Sequence, residues 1–260
     1  MKKTSKNKSS LYIFFDTIGN LSNFTMQFFK DFLLPPYEID VIKKHMYDLG
    51  VKTFPIVSVT GFIIGFVLAL QSEPVLRRFG AEAFLPAMVS ISVVRELGPV
   101  LTAIIFAGRV SSGIGAEIAS MRITEQIDAM ELSAIDPYKY LVVTRVIATT
   151  LILPLLTMYV IIIALIGCYI AILLSTPTSV VYYITAVQEA LTFQDLIPGV
   201  AKTFVFGFIV GIVGSFKGYY ATKGTEGVGI ASTSAVVLSS LLILIFDAIL
   251  VKITLVVWAM

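Results

Sequence analysis

Four ionisable residues stand inside runs that are otherwise apolar. Arg95 and Glu96 interrupt LPAMVSISVVRELGPVLTAIIFAG, Lys202 interrupts IPGVAKTFVFGFIVGIVGSF, and Asp247 interrupts LLILIFDAILV. A charge at the centre of a bilayer costs about 2.5 to 3.5 kcal/mol on the insertion scale, so each of these must face a partner or a water-filled cavity. Two kinds of chemistry suit them. Arg95 or Lys202 could hold the anionic phosphate of a lipid headgroup while apolar walls take the acyl chains. Equally, the four could form a network that locks membrane spans together, in which removing one partner of a pair costs about 3 to 5 kcal/mol. Arg95 and Glu96 are adjacent, and neighbours on a helix point about 100° apart, so other spans must supply their partners. One possible pairing sets Arg95 against Asp247 and Glu96 against Lys202.

The elements that position these charges are membrane helices. The chain of 260 residues is 57% hydrophobic and 14% charged, with mean hydropathy +0.92. A soluble domain carries about a quarter charged residues, so the composition is that of an integral membrane protein. The net charge of +2 comes from scattered basic residues rather than a stripe, which argues against nucleic acid. The single cysteine, Cys168, lies in an apolar run and permits no intrachain disulfide. The single histidine, His45, has no second His or Cys nearby and reads as an interfacial side chain, so no metal site is expected. MKKTSKNKSS is basic, but no short apolar core with a small-residue cleavage site follows it, so no removable signal peptide is expected.

Residues 11–53 read as amphipathic interfacial helices following a basic tail, 1–10. Leu11, Phe14, Phe15, Ile18, Leu21, Phe28, Phe29 and Phe32 recur at helical spacing, with Asp16, Asn20, Asn23, Lys30 and Asp31 opposite. After Pro35 and Pro36 a weaker repeat runs through Ile39, Ile42, Met46 and Leu49. Residues 54–260 form the membrane domain. Five spans are predicted, over about 54–70, 84–108, 141–174, 197–216 and 230–258, the third long enough to need the kink that Pro154 offers. Pro99 cannot bond the carbonyl of Arg95, so the second span is loosened beside its charges. Gly61 with Gly65, and Gly207 with Gly211, are small-xxx-small pairs that permit close helix approach, within one protomer or at a dimer seam. Gly224, Gly227 and Gly229 read as a turn.

Lys2, Lys3, Lys6 and Lys8 precede the spans; Arg122, Lys139 and Arg145 flank the second loop, and Lys217 and Lys223 the fourth. The connection from Ser175 to Leu196 has no Lys or Arg. The positive-inside rule therefore puts the N-terminus in the cytoplasm and the C-terminus outside. The stretch ITEQIDAMELSAIDPYKY, 123–140, is then cytoplasmic. Its Ile123, Ile127, Met130 and Ala134 share one helical face, while Glu125, Asp128 and Glu131 spread over the other. Asp136-Pro137 suits the start of the next helix. Such a segment is either a loop kept in water by its charges or a docking helix for a partner with a basic groove.

The run RELGPVLTAIIFAGRVSSGIGAEIASMRITEQIDAMELSAIDPYKYLVVTR, 95–145, resembles the signature of the MlaE (YrbE) family of ABC-transporter permeases. GTEGVGIASTSAVVLSSLLILIFDAIL, 224–250, is similar to that family's C-terminal segment, and Thr144 stands where the family pattern leads one to expect proline. The resemblance implies an all-α membrane protein with an N-terminal interfacial helix, five transmembrane helices and a short cytoplasmic coupling helix between the second and third. It implies a homodimer in the bacterial inner membrane, two copies of a separate ATPase, and an MCE-domain protein on the periplasmic side that handles phospholipid. It also allows a small accessory regulator of the ATPase. The ATPase would bind the ATP and Mg, leaving this chain with no cofactor and no enzymatic activity of its own. In keeping with this, no GxxxxGK[ST] loop occurs. The family's coupling element maps onto Ile123, Glu125, Ile127, Asp128, Met130 and Glu131, and the lipid pathway is assigned to Arg95, Glu96, Lys202 and Asp247. Outside the resemblance, an ion-gradient-driven secondary transporter or a membrane scaffold are the competing classes, although no internal repeat relates two halves of the chain.

Overall fold

A computed structural model describes residues 10–35, 38–222 and 224–258, with side chains from 16 to 257. The basic tail with Lys2, Lys3, Lys6 and Lys8 lies outside the described residues, as do Pro36 and Lys223 and the side chains of Leu11, Phe14, Phe15 and Trp258. All regular elements described are helical. The first, α1 (Ser10–Phe32), is amphipathic, but the most buried of its described side chains is Phe24, which lies outside the predicted stripe. Phe24 and Phe28 dock against Tyr138, Phe208 and Phe216, and the Tyr138 hydroxyl donates to the Phe24 carbonyl at 2.5 Å. Aromatic edge-to-face packing thus fixes α1 on one end of the bundle.

Among the described residues, five helical stretches are long and apolar enough to cross a membrane. The first, α2 (Ile39–Arg78), is continuous through 53–54, where the sequence pattern places a boundary between interfacial and membrane segments. Pro55 sits within it without ending it. The second stretch, Glu82–Ile123, is a chain of short helices: α3 (Leu85–Ser92), α4 (Gly98–Phe106) and α5 (Ser112–Ile123), separated by π-helical segments at Val93–Leu97 and Ala107–Ser111. The loosening expected at Pro99 is the first of these, where the Gly98 N–H reaches back to the Val93 carbonyl. π-bulges favour functional positions inside helices, because the extra residue redirects the side chains around it.

A short helix, α6 (Gln126–Leu132), comes next and lies between the second and third stretches. The Asp136 carboxylate then accepts from the N–H groups of Tyr138 and Lys139 at 3.0 and 3.2 Å, as the Asp-Pro start signal implies. A π-segment at Tyr138–Val143 leads into α7 (Thr144–Ser175). The connection to the fourth stretch contains a helix that the sequence pattern did not announce, α8 (Val180–Ala190), capped by Ser179. Last come α9 (Phe193–Tyr219) and α10 (Gly224–Trp258). Of the three glycines read as a turn, only Gly224 has the positive φ; Gly227 and Gly229 are already helical.

At the centre stands α7, packed between α2 and α9. Both small-residue pairs serve these contacts within the chain. A Cβ on Gly65 would overlap the Ala164 carbonyl, and one on Gly207 or Gly211 would meet Thr149 or Val146. Such close approach lets dispersion act between backbones where no hydrophobic force separates helix from lipid. Gly65→Ala should therefore lower thermal stability in detergent by about 1 to 3 kcal/mol. Gly19→Ala, where a Cβ meets nothing among the described residues, should not; equal effects of the two would refute the packing argument.

Candidate functional site

One face of α9 organises the intramembrane charges. Asp195, Gly199 and Lys202 fall at i, i+4 and i+7, and Gly199 is where α9 meets the π-segment carrying Arg95 and Glu96. A Cβ there would overlap the Val94 carbonyl. The missing side chain lets the two backbones touch, so Asp195 and Lys202 flank the bulge from either side.

Lys202 is 5% exposed and donates to Glu96 Oε2 at 2.6 Å and Asp247 Oδ1 at 2.9 Å. The expected pairing of Glu96 with Lys202 is present; that of Arg95 with Asp247 is not. The Lys202 ammonium takes both carboxylates because it projects between the π-segment and α10. Arg95 instead pairs through Nε and Nη2 with Asp195 Oδ1. Asp195 lies 2% exposed at the start of α9, and its other oxygen accepts from the Thr192 N–H and hydroxyl at 2.9 and 2.7 Å. This is a capping box, and Thr192-x-x-Asp195 ahead of an apolar run is its sequence signal. Starting the fourth span at Ile197 leaves Asp195 in the loop and hides the fifth member of the cluster.

Against this cluster lies a cavity of about 440 Å³. Arg95, Glu96, Asp195 and Lys202 form one wall, and Val251 and Leu255 of α10 the other. Asp247, Val251, Thr254 and Leu255 share a helical face, so α10 presents its carboxylate to Lys202 and its apolar side chains to the space beyond. Arg95 is half-exposed, with a planar guanidinium anchored on one edge by Asp195. Such a group can take a second oxyanion on its remaining donors.

The sequence model of the MlaE permease matches residues 42–253. This chain belongs to the MlaE permease family. Among its relatives, a probable ABC transporter permease protein of Rickettsia felis is 42% identical over 89% of this chain and 90% of that protein. The intermembrane phospholipid transport system permease protein MlaE of Haemophilus influenzae is 35% identical over 82% of each chain. The protein is thus a multi-pass ABC transporter permease, a transport subunit without catalytic activity of its own, whose class works with an ATPase.

Within this MlaE permease the predicted docking set divides into two groups. Ile127 is fully buried and Met130 packs on the core, so both hold α6 to the bundle, while Ile123 is half-buried. Glu125, Asp128 and Glu131 are exposed, Asp128 pairing with Arg122 at 2.7 Å. Leu132 is 91% exposed beside the exposed Ile135, an apolar knob that a helical wheel with one apolar face overlooks. Glu125 and Ala134 both have left-handed φ, and the Ile135 N–H bonds the Met130 carbonyl. This Schellman closure presents Leu132 and Ile135 at a fixed turn.

Lys202→Met should destabilise the protein by about 3 to 5 kcal/mol, because it leaves two carboxylates without their cation. Adding Glu96→Gln and Asp247→Asn should restore most of the loss in thermal melts. A triple variant as unstable as the single one would show that the ion network is not what holds these helices.

Proposed function

We propose that this chain is the membrane subunit that passes phospholipid between the bacterial inner membrane and an MCE-domain partner on the periplasmic side. The observation that carries the reading is the cavity beside Arg95, where a half-exposed guanidinium faces the apolar side chains of Val251 and Leu255. A phosphate on the remaining guanidinium donors and an acyl chain on the apolar wall match that amphipathic lining. The name of the Haemophilus influenzae relative, an intermembrane phospholipid transport permease, supports the same cargo.

In this reading the chain works as a homodimer with two ATPase copies, which bind ATP and Mg; a small accessory regulator of the ATPase is compatible with it. The N-terminus and α6 face the cytoplasm, and the C-terminus and the Arg95 cavity lie toward the periplasm. Leu132 and Ile135 seat in the ATPase with Glu125, Asp128 and Glu131 as a charged rim, since buried apolar anchors carry most interface energy. Asp195 positions Arg95, and Lys202 ties Glu96 and Asp247 into one unit.

Reconstitution with the ATPase and the MCE partner in proteoliposomes tests this directly. Transfer of labelled phospholipid should need ATP, and Arg95→Ala should abolish it while the complex still assembles. Transfer driven by an ion gradient, or none by the wild type, would overturn the proposal. Leu132→Asp should weaken ATPase binding by at least about tenfold, the cost of losing a well-packed anchor. Unchanged co-purification of the ATPase would remove Leu132 from the interface.

A further inference from the structure

A cavity of about 890 Å³ lies at the other end of the bundle, between the first turns of α2 and the later part of the second span. Its walls carry Lys44, Lys52, Arg109 and Arg145 together with the acidic Asp48 and Glu117. Both of these acids are already engaged: Lys52 pairs with Asp48 at 3.3 Å and Arg145 with Glu117 at 2.7 Å. A third acid on the lining, Asp40, pairs with Lys43 at 3.5 Å.

Two cations are left over. Lys44 and Arg109 have no carboxylate within 4 Å among the described residues. Arg109 stands on the second π-segment, Ala107–Ser111, and gives Nη1 to the Thr53 hydroxyl at 2.6 Å. Thr53 is fully buried and passes its own proton to the Leu49 carbonyl, so Arg109 is held by a neutral oxygen that leaves its charge uncompensated. Arg145, only 4% exposed, lines the same cavity, and its Nε has no hydrogen-bond partner among the described residues. A buried guanidinium N–H without a partner costs about 1 to 3 kcal/mol or more, the cost expected where a ligand supplies the missing acceptor.

We infer that this cavity binds the phosphate of an anionic lipid headgroup, with Arg109 as its principal contact, Lys44 at the rim and Arg145 at the back. The partly exposed Val41, Leu49, Met121 and Met130 give the cavity an apolar side, a surface for the glycerol and first methylenes of a lipid that free phosphate would not use. Arg109 is fourteen residues beyond Arg95 on the same span, about 21 Å along a helix at 1.5 Å per residue. The site is therefore separate from the Arg95 cavity and belongs to the opposite leaflet. Its existence does not depend on the transport reading.

Met121 lines the cavity and serves as the reporter position. The full chain carrying Met121→benzoylphenylalanine is placed in phosphatidylcholine nanodiscs doped with phosphatidylglycerol, without ATPase or nucleotide, and irradiated. The mass of the cross-linked peptide identifies the adduct. Phosphatidylglycerol should be enriched over its share of the bilayer, and Arg109→Ala should cut that enrichment about tenfold, the loss of one charge-assisted contact. Arg109→Lys should recover it in part, and Lys44→Glu, an exposed position that folding tolerates, should lower it as well. Adducts in proportion to bilayer composition, or enrichment indifferent to both Arg109→Ala and Lys44→Glu, would refute the site. Loss of the lipid adduct on adding inorganic phosphate would assign the pocket to free phosphate and overturn the lipid reading. Because the cross-link reports this cavity alone and needs no transport, its failure is distinguishable from failure of the transport proposal.

Discussion

An ammonium buried between two carboxylates, Lys202 with Glu96 and Asp247, joins the second, fourth and fifth spans at one point. Lys202 is buried and its charge needs both carboxylates, so each helix must be held where the other two can reach it. Much of the local geometry is a consequence. The second span opens into a π-segment to swing Glu96 and Arg95 outward, and α9 has glycine at position 199 so that it can approach that bulge. Asp195 is drawn into a capping box at the start of α9, where it turns Arg95 toward the cavity. A network of this kind is weak evidence for stability by itself, but it specifies register among helices whose apolar faces would otherwise slide.

Packing around α7 complements that network. Gly61 and Gly65 of α2, and Gly207 and Gly211 of α9, meet α7 from opposite sides, so the central helix touches its neighbours nearly backbone to backbone. The rigid post leaves the second span, broken by two π-segments, as the element with the most irregular backbone. Two cavities open beside those irregularities, one at Arg95 and one at Arg109. A span that must carry charge at two depths gains from π-bulges, since each inserts a residue and rotates the next helical turn without leaving a backbone group unpaired.

At the α6 end, aromatic side chains join the ion pairs of Arg122 with Asp128 and Arg145 with Glu117 as the fastening. Phe24 and Phe28 bring α1 onto Tyr138 and Phe216, and Ile127 brings α6 onto the same core. The acidic residues of 123–140 are thus outward-facing because their apolar neighbours are consumed by packing. Leu132, in the last turn of α6, and Ile135, just beyond the left-handed turn at Ala134, stay exposed on the outer side.

Composition and period alone made the membrane class, the five spans, the interfacial α1 and the acidic segment legible, because each depends on runs of residue type that a bilayer or a helix repeat must impose. The family was legible in 95–145 and 224–250 for the same reason, being carried by contiguous residues. Glu96 with Lys202 was legible as a pair, since few opposite charges were available. Tertiary structure alone decided that Lys202 serves two carboxylates, that Arg95 turns to Asp195, that Ile127 and Met130 face inward, and that Arg109 and Arg145 line one cavity with Lys44 at its rim. These are relations among helices far apart in sequence. Helical period fixes the face on which a side chain lies, but the rotation and depth of one helix against another are set only when glycine contacts, π-bulges and buried charges are satisfied together.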